Sequence, residues 1–149
     1  MEMFNNQEIV PTIDFGKKEY EKACGCIIIE NNRVLLVQQT NGDWGFPKGH
    51  VKGNETEVET AIREVKEETN VDVKVEEDKR YSIEYDIEDG EIHKQVVYFV
   101  ASKIGGDIAK QESEINVIQW LNFEEAMKQI TYDDLRNIFR QVLEGHFSE

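Results

Sequence analysis

A run of charged side chains near the middle of the chain has the types and spacing of a cation site. On an α-helix turning about 100° per residue, Glu57, Glu64 and Glu68 lie within roughly 40° of one another, with Glu67 beside them. Carboxylates three and four residues apart repel one another. Carboxylate oxygens are also the ligands of hard divalent cations, and Mg²⁺ is commonly held by a few carboxylates together with substrate phosphates. The ridge therefore indicates a Mg²⁺ site, and a solvated acidic face is the alternative.

A turn-rich loop, residues 41–50 (NGDWGFPKGH), stands before this acidic segment. Its glycines permit backbone conformations and a close approach of ligand that other residues resist. Three side chains, Lys48, His50 and Arg63, are possible anion partners, because charge-assisted hydrogen bonds to phosphate are strong. Loop and ridge together predict a site for a cation and phosphates.

The stretch from Gly49 to Val71 resembles the Nudix box, a 23-residue signature of hydrolases that act on a nucleoside diphosphate linked to another group. Gly49, Glu55 and the run 63–71 stand at the spacing of that signature. The one departure is Asn70, where the signature has glycine. Since Asn is the non-glycine residue most at ease in the left-handed conformation that ends helices, we expect Asn70 to act as the C-cap.

The resemblance implies a hydrolase that depends on Mg²⁺, with Mn²⁺ as a possible substitute. Such an enzyme neutralises charge on the phosphate oxygens and positions a water. The implied metal ligands are Glu64, Glu67, Glu68, Glu114 and the backbone carbonyl of Gly49. Arg63 is expected to orient the glutamates rather than to touch substrate.

The general base stays open between a glutamate of the box and Glu114, which lies in an acidic loop before the last strand. Glu112 is its local competitor. For Glu114 itself, a solvated loop acid is the alternative.

The likeness extends beyond the box, over residues 23 to about 146, to the asymmetrical diadenosine tetraphosphate hydrolases. It is carried by the loop 44–50, Tyr85, Lys94, the run 97–101, Glu114, the pair 120–121 and the final helix. This implies cleavage of diadenosine tetraphosphate to ATP and AMP. The enzymatic alternatives are nucleoside triphosphates, ADP-ribose and RNA 5′-triphosphate ends, and a non-catalytic nucleotide sensor is the alternative of another class.

Substrate contacts are predicted from residue type and from place in the chain. Lys48, His50 and Lys94 are candidates to bind the polyphosphate. Tyr85 and Tyr132 are candidates to stack on adenine, because an aromatic face accepts any base. Core packing beside the last helix is the alternative for Tyr132, and a structural role is the alternative for His50.

The elements that must position these residues follow from apolar periodicity. The acidic helix is expected to bury Val58, Ile62, Val65 and Thr69 and to end near residues 69–70. Strands are predicted at 23–30, 33–39, 71–75, 80–87, 92–102 and about 116–121. The first two are expected to form a hairpin through Asn31 and Asn32, and an Asp-Gly hairpin turn is predicted at 88–90. Two closing helices are expected to begin at Asn122 and Thr131, and Gly145 to end the second. This pattern predicts an α/β fold whose mixed β-sheet is covered on both faces, in agreement with the Nudix-type α/β/α sandwich that the resemblance implies.

Length and charge limit the remaining possibilities. The 149 residues fit one domain, expected at 21–149 after an N-terminal arm at 1–20. A formal charge of −14 argues against an extended nucleic-acid surface and leaves a small nucleotide as the expected partner. The chain has neither an apolar run long enough to span a bilayer nor a signal-like N-terminus, so we expect no membrane partner and a cytoplasmic protein. Its two cysteines, Cys24 and Cys26, are expected to be reduced and packed.

Overall fold

The computed structural model describes residues 18–111 and 113–148. Most of the predicted N-terminal arm and Glu112 lie outside the described residues. The elements in chain order are β1 (Glu19–Glu30), β2 (Arg33–Gln39), β3 (Trp44–Gly45), β4 (Lys48–His50), α1 (Glu57–Thr69), β5 (Asp72–Ile87), β6 (Ile92–Gly105), β7 (Ile115–Asn122), α2 (Phe123–Gln129) and α3 (Asp133–Ser148).

The strands form one mixed sheet, as the sequence predicts. Its path is β3-β2-β1-β6-β5, with β4 paired to β1 and β7 paired to β2. Strand β1 runs parallel to β6 and antiparallel to β2 and β4. This central strand therefore meets both the loop before α1 and the long β5–β6 hairpin.

Two apolar cores lie on opposite faces of the sheet. Ala23 and Ile27 of β1 face a core that includes Phe139 of α3. The alternate residues Cys24, Cys26 and Ile28 face a second core, which contains Ala61 and Val65 of α1. Since successive side chains of a strand point to opposite faces, β1 anchors both layers, and the predicted α/β/α sandwich is confirmed.

Both cysteines pack beneath α1 as free thiols. Burial raises the pKa of Cys24 to about 11 and that of Cys26 to about 12. The two thiols therefore behave as packed apolar groups, as predicted.

The predicted hairpin turns are confirmed. Asn31 and Asn32 join β1 to β2 with φ of 52° and 61°. Glu88 and Asp89 have φ of 54° and 56°, and Gly90 of 86°, between paired strands β5 and β6. Positive φ at both central residues is the geometry that suits a tight hairpin to the strand twist.

The predicted strands at 71–75 and 80–87 are parts of one strand, β5. The pairing shifts between Glu76 and Arg80, where the partner advances only from Val100 to Phe99. A bulge therefore takes up the extra residues while the unbroken β6 holds both halves. Strand β1 likewise begins at Glu19, before the predicted start at Ala23, because its first residues pair with the start of β6.

Two predicted helix boundaries are wrong. Asn122 does cap α2, accepting the amide of Glu125 at 2.8 Å. Thr131, however, does not cap α3, since its hydroxyl accepts the Trp44 amide at 2.8 Å instead. Gly145 lies inside α3, which continues to Ser148. The rings of His146 and Phe147 each lie 6.0 Å from that of Phe123, so packing extends the helix beyond its glycine.

Candidate active site

Helix α1 is delimited by its own sequence. The Thr56 hydroxyl accepts the Glu59 amide at 3.1 Å, and the Glu59 carboxylate accepts the Thr56 amide at 2.9 Å, which forms a complete capping box. At the other end, Asn70 adopts φ 66° and ψ 12° and donates its amide to the Lys66 carbonyl. The predicted left-handed cap is confirmed.

The buried face of α1 differs from the predicted one. Ala61, Val65 and Thr69 are buried, but Ile62 is 39% exposed. Glu64 and Glu68 are only 8% exposed each. The buried face of the helix is therefore shifted from the predicted apolar stripe towards the acidic edge, which lies beneath the preceding loop. The solvated-face alternative fails for these two glutamates.

The stretch predicted as a loop contains the short strand β4, and Gly49 in that strand is the point at which the stretch, still called the loop here, meets this acidic edge. A Cβ atom on Gly49 would overlap the carboxyl group of Glu64. The next residue back, Lys48, donates its amide to Oε1 of Glu68 at 3.3 Å. The loop backbone thus lies against both buried carboxylates, and a side chain at residue 49 would require the Glu64 carboxylate or the loop to move.

Arg63 bridges three glutamates and the loop. Its Nε and Nη2 donate to the Glu55 carboxylate at 2.6 and 2.8 Å. Its Nη1 donates to Oε2 of Glu64 at 2.8 Å and to Oε2 of Glu67 at 3.1 Å, and Nη2 also reaches the His50 carbonyl at 2.9 Å. These hydrogen bonds lower the pKa of Glu55 to about 2 and raise that of Arg63. The guanidinium therefore brings Glu64 and Glu67 to one point.

The donor set suits a hard cation, because Glu64, Glu67 and Glu68 supply carboxylate oxygens at one edge of α1. Glu64 and Glu67 share one guanidinium nitrogen, and Glu64 and Glu68 are buried beside the loop backbone. Within 18–111 and 113–148, no three His, Cys, Asp or Glu side chains are grouped closely enough to hold a metal ion. The residues fit the predicted metal in type and in placement on the helix, but they do not form a closed cage in this conformation.

A cleft of about 540 Å³ opens beside the loop. Four predicted substrate residues line it: Lys48, Lys94, Tyr85 and Tyr132. Burial lowers the pKa of Lys48, and the neighbouring charge of Lys94 lowers it further, whereas Glu68, Glu64 and Glu114 raise it. Two adjacent lysines in a partly enclosed cleft favour an anionic ligand.

Aromatic side chains form the walls of the cleft. Tyr85 is 37% exposed and Tyr132 is 54% exposed, so core packing is not the role of Tyr132. The Tyr132 hydroxyl donates to the Asp43 carboxylate at 2.7 Å. Trp44 lines the cleft too. Two hydrogen bonds hold it: its amide donates to the Thr131 hydroxyl at 2.8 Å, and its carbonyl accepts the Thr131 amide at 3.1 Å.

Asp43 and Thr131 are site residues that the sequence analysis does not select. They are 88 residues apart along the chain, and both hold the wall formed by Trp44 and Tyr132. The one local signal is their neighbourhood, since each adjoins an aromatic residue in a turn.

Glu114 and His50 occupy different positions relative to this cleft. Glu114 is exposed, its carbonyl accepts the Thr40 amide at 2.9 Å, and its charge acts on Lys48. His50 is also exposed, but its Nε2 lies 3.5 Å from Oε1 of Glu21 and its side chain is not part of the cleft lining. Neither side chain is part of the cleft lining, although the charge of Glu114 acts on Lys48, and the catalytic and binding roles of both stay predictions.

The fold is an α/β/α sandwich in which a helix bearing glutamates lies under a glycine loop. A cleft with two lysines opens beside that loop. These are features of a hydrolase of phosphate esters or anhydrides. The NUDIX domain family matches residues 19–142, and the chain belongs to this family. It is therefore a hydrolase that acts on pyrophosphate bonds.

Individual relatives show how far the likeness extends. The asymmetrical bis(5′-nucleosyl)-tetraphosphatase of Sus scrofa is 31% identical over 141 residues, which cover 84% of this chain and 92% of that enzyme. The m7GpppN-mRNA hydrolase of Saccharomyces cerevisiae is 32% identical over 114 residues, 75% of this chain but 12% of that enzyme. Among solved structures, a Caenorhabditis elegans Ap4A hydrolase in a binary complex has a TM-score of 0.76 at 28% identity, with 87% of this chain and 99% of that chain covered.

Proposed function

We propose that this protein is a Mg²⁺-dependent hydrolase of dinucleoside polyphosphates that cuts diadenosine tetraphosphate into ATP and AMP. The observation that carries the proposal is the cleft in which Lys48 and Lys94 lie between aromatic walls, beside the buried Glu64 and Glu68. A polyphosphate with a base at its end matches this order of charge and aromatic surface. The similarity to an asymmetrical tetraphosphatase over 92% of its length also supports it.

Each end of the substrate has its own proposed partners. Lys48 and Lys94 bind phosphate oxygens through charge-assisted hydrogen bonds. Tyr85 and Tyr132 stack on an adenine, with Tyr132 oriented by its bond to Asp43. His50 is proposed as a further phosphate contact. This contact requires the His50 side chain to move away from Glu21.

The reacting end lies at α1. A divalent cation held by Glu64, Glu67, Glu68 and the Gly49 carbonyl, with Glu114 as a further ligand, supplies neutralisation of the phosphate charge when bound. Mn²⁺ is expected to replace Mg²⁺. Arg63 orients Glu64 and Glu67, and Glu114 or a glutamate of α1 accepts the proton of the attacking water. Water adds to one phosphorus, the P–O–P bond breaks, and ATP and AMP leave.

Product analysis tests the proposal directly. Purified protein is incubated with diadenosine tetraphosphate and Mg²⁺ in ¹⁸O-labelled water. The products are then separated, quantified and analysed by mass spectrometry. We expect equal amounts of ATP and AMP, with the label in one of the two. Two molecules of ADP, or no cleavage of any dinucleoside polyphosphate, would contradict the proposal.

Variants identify the residues responsible. Glu68→Gln keeps the size of the side chain but removes its charge, so kcat should fall by about 100-fold or more. Glu144→Gln, on the exposed side of α3, is the matched control and should leave kcat unchanged. Parallel assays with nucleoside triphosphates, ADP-ribose and 5′-triphosphorylated RNA decide whether another substrate is preferred.

A further inference from the structure

The residue that departs from the box, Asn70, does more in this structure than end a helix. Its side-chain Nδ2 donates to the Asp107 carbonyl at 2.9 Å. Its Oδ1 accepts from Nε2 of Gln111 at 2.6 Å. A glycine at this position would adopt the same left-handed backbone but could form neither bond.

The loop 106–111 is docked on the end of α1 through backbone contacts as well. The Ala109 amide donates to the Thr69 carbonyl at 3.0 Å, and the Gln111 amide approaches the Glu68 carbonyl at 3.5 Å. Gly106, at φ 82°, lies so close that a Cβ atom would overlap the Asn70 carbonyl. These contacts satisfy carbonyls that a helix end leaves without intrahelical partners.

The docked loop 106–111 lies between two carboxylates that have proposed roles in the reaction. Its helix end bears Glu68, a proposed metal ligand, and three residues beyond Gln111 the chain reaches Glu114, the candidate base. The backbone at Glu114 is held as well, because the Thr40 amide donates to the Glu114 carbonyl. The side chain of Asn70 therefore ties the loop that leads towards Glu114 to the end of the helix that bears Glu68.

We propose that Asn70 is a positioning residue, whose side-chain amide fastens the loop 106–111 to α1 and so sets the place of Glu114 relative to Glu68. The inference rests on the proposed role of Glu114 in the hydrolysis, but not on the identity of the nucleotide.

A double-mutant cycle tests the coupling. Asn70→Gly is made in the wild-type chain and in Glu114→Gln, and kcat is measured on whichever phosphoanhydride the wild-type protein cleaves fastest. A wrong substrate assignment then appears with the wild-type protein and leaves the test of Asn70 intact. Asn32→Gly, another left-handed position in the β1–β2 turn, is the matched control and should leave kcat unchanged.

We expect Asn70→Gly to lower kcat about three- to tenfold in the wild-type chain, because two hydrogen bonds that dock the loop are lost. In Glu114→Gln, where the carboxylate is already absent, the same change should cost less than twofold. Asn70→Asp keeps the acceptor for Gln111 and should recover part of the activity. An equal loss in both backgrounds, or wild-type activity in Glu114→Gln, would overturn the proposal.

Amide hydrogen exchange gives a readout that does not depend on activity. In Asn70→Gly the amides of Ala109 and Gln111 should exchange about tenfold faster, since their bonds to α1 open more often. Thermal unfolding checks that the variant still folds cooperatively. Unchanged exchange at these two amides would show that the side chain does not hold the loop, and would overturn the proposal as well.

Discussion

At single residues, the site depends on two close contacts between the loop backbone and the buried glutamates. Gly49 lies against the carboxyl of Glu64, and the Lys48 amide reaches Glu68. Both carboxylates are only 8% exposed, and Arg63 also donates to Glu64 at 2.8 Å. A cation is the proposed further ligand of both carboxylates.

Replacing Gly49 by alanine should separate the loop from Glu64. The added methyl group overlaps the carboxyl, so either the loop or the side chain must shift. We expect kcat to fall by about tenfold or more, because small displacements at a reacting centre are costly. Gly53→Asn is the control, since that position has φ 56° and open space around it, and asparagine tolerates both. Equal activity of Gly49→Ala and the control would refute this account of the loop.

Lys48→Met keeps the apolar stem of the side chain and removes its charge. Loss of a charge-assisted bond to phosphate should raise KM about ten- to 100-fold. Because burial and Lys94 lower the pKa of Lys48, the wild-type KM should begin to rise at a lower alkaline pH than an ordinary lysine would cause. Steady-state assays across pH 7 to 10 measure both effects, with Lys128→Met on the exposed side of α2 as control. A KM of Lys48→Met equal to that of the wild type would contradict the proposed contact.

At the scale of elements, the acidic ridge of α1 divides into two parts. Glu64 and Glu68 turn towards the loop, whereas Glu57 pairs with Arg80 of β5 at 2.7 and 2.9 Å and with Lys22 of β1. The first turn of the helix is therefore tied to two strands. The ridge geometry alone does not distinguish these uses, since all three glutamates share one side of the helix.

The Glu57 contacts should make stability depend on pH. The hydrogen bond from Arg80 lowers the pKa of Glu57 from 4.5 to about 2. A carboxylate with a depressed pKa stabilises the fold above its ordinary pKa, and this contribution is lost as pH falls from about 4.5 to about 2. We expect Glu57→Gln to lower the free energy of unfolding on the order of 1–3 kcal/mol near neutral pH and by progressively less below pH 4.5. Urea unfolding at several pH values measures this, and a pH-independent difference would contradict it.

At the scale of the whole molecule, a strongly acidic chain places two lysines in one cleft, which Asp43 and Asp134 also line. The formal charge is −14, yet Lys48 and Lys94 face the same cleft. Neighbouring carboxylates on α1 repel one another when no cation is bound. A cation that binds the folded chain should relieve this repulsion.

Adding Mg²⁺ should therefore raise the melting temperature, and a chelator should reverse the change. At a concentration 100 times the dissociation constant, preferential binding to the folded state contributes about 2.7 kcal/mol. For a domain of this size that corresponds to a rise of about 5–10 °C. Calorimetry should show most of the rise lost in Glu68→Gln and kept in Glu144→Gln. Equal shifts in both variants would place the cation elsewhere.

Much of the local structure can be predicted from short stretches of sequence. The Asp-Gly turn, the β1–β2 hairpin, the cap at Asn122 and the left-handed Asn70 all depend on a few neighbouring residues. The spacing of the box likewise predicts one helix carrying three glutamates on one side. These features follow from turn preferences and helix periodicity, which act over three or four residues.

Other features depend on distant partners. Helix periodicity predicts Ile62 in the core, but the structure buries the adjacent face with Glu64 and Glu68 instead. Thr131 bonds to Trp44 rather than to its own helix, and ring packing carries α3 past Gly145. The cleft itself is built from β2–β4, the β5–β6 hairpin and the start of α3. No local pattern encodes such convergence.

The sequence by itself determined the family signature, the class of fold and the residues able to bind a cation and phosphates. Only the tertiary structure decided which glutamates are buried, which lysines and tyrosines share a cleft, and that His50 stays outside it. The reason is physical: turns and helix caps are set by bonds within a few residues, whereas the burial of a carboxylate depends on which distant backbone covers it.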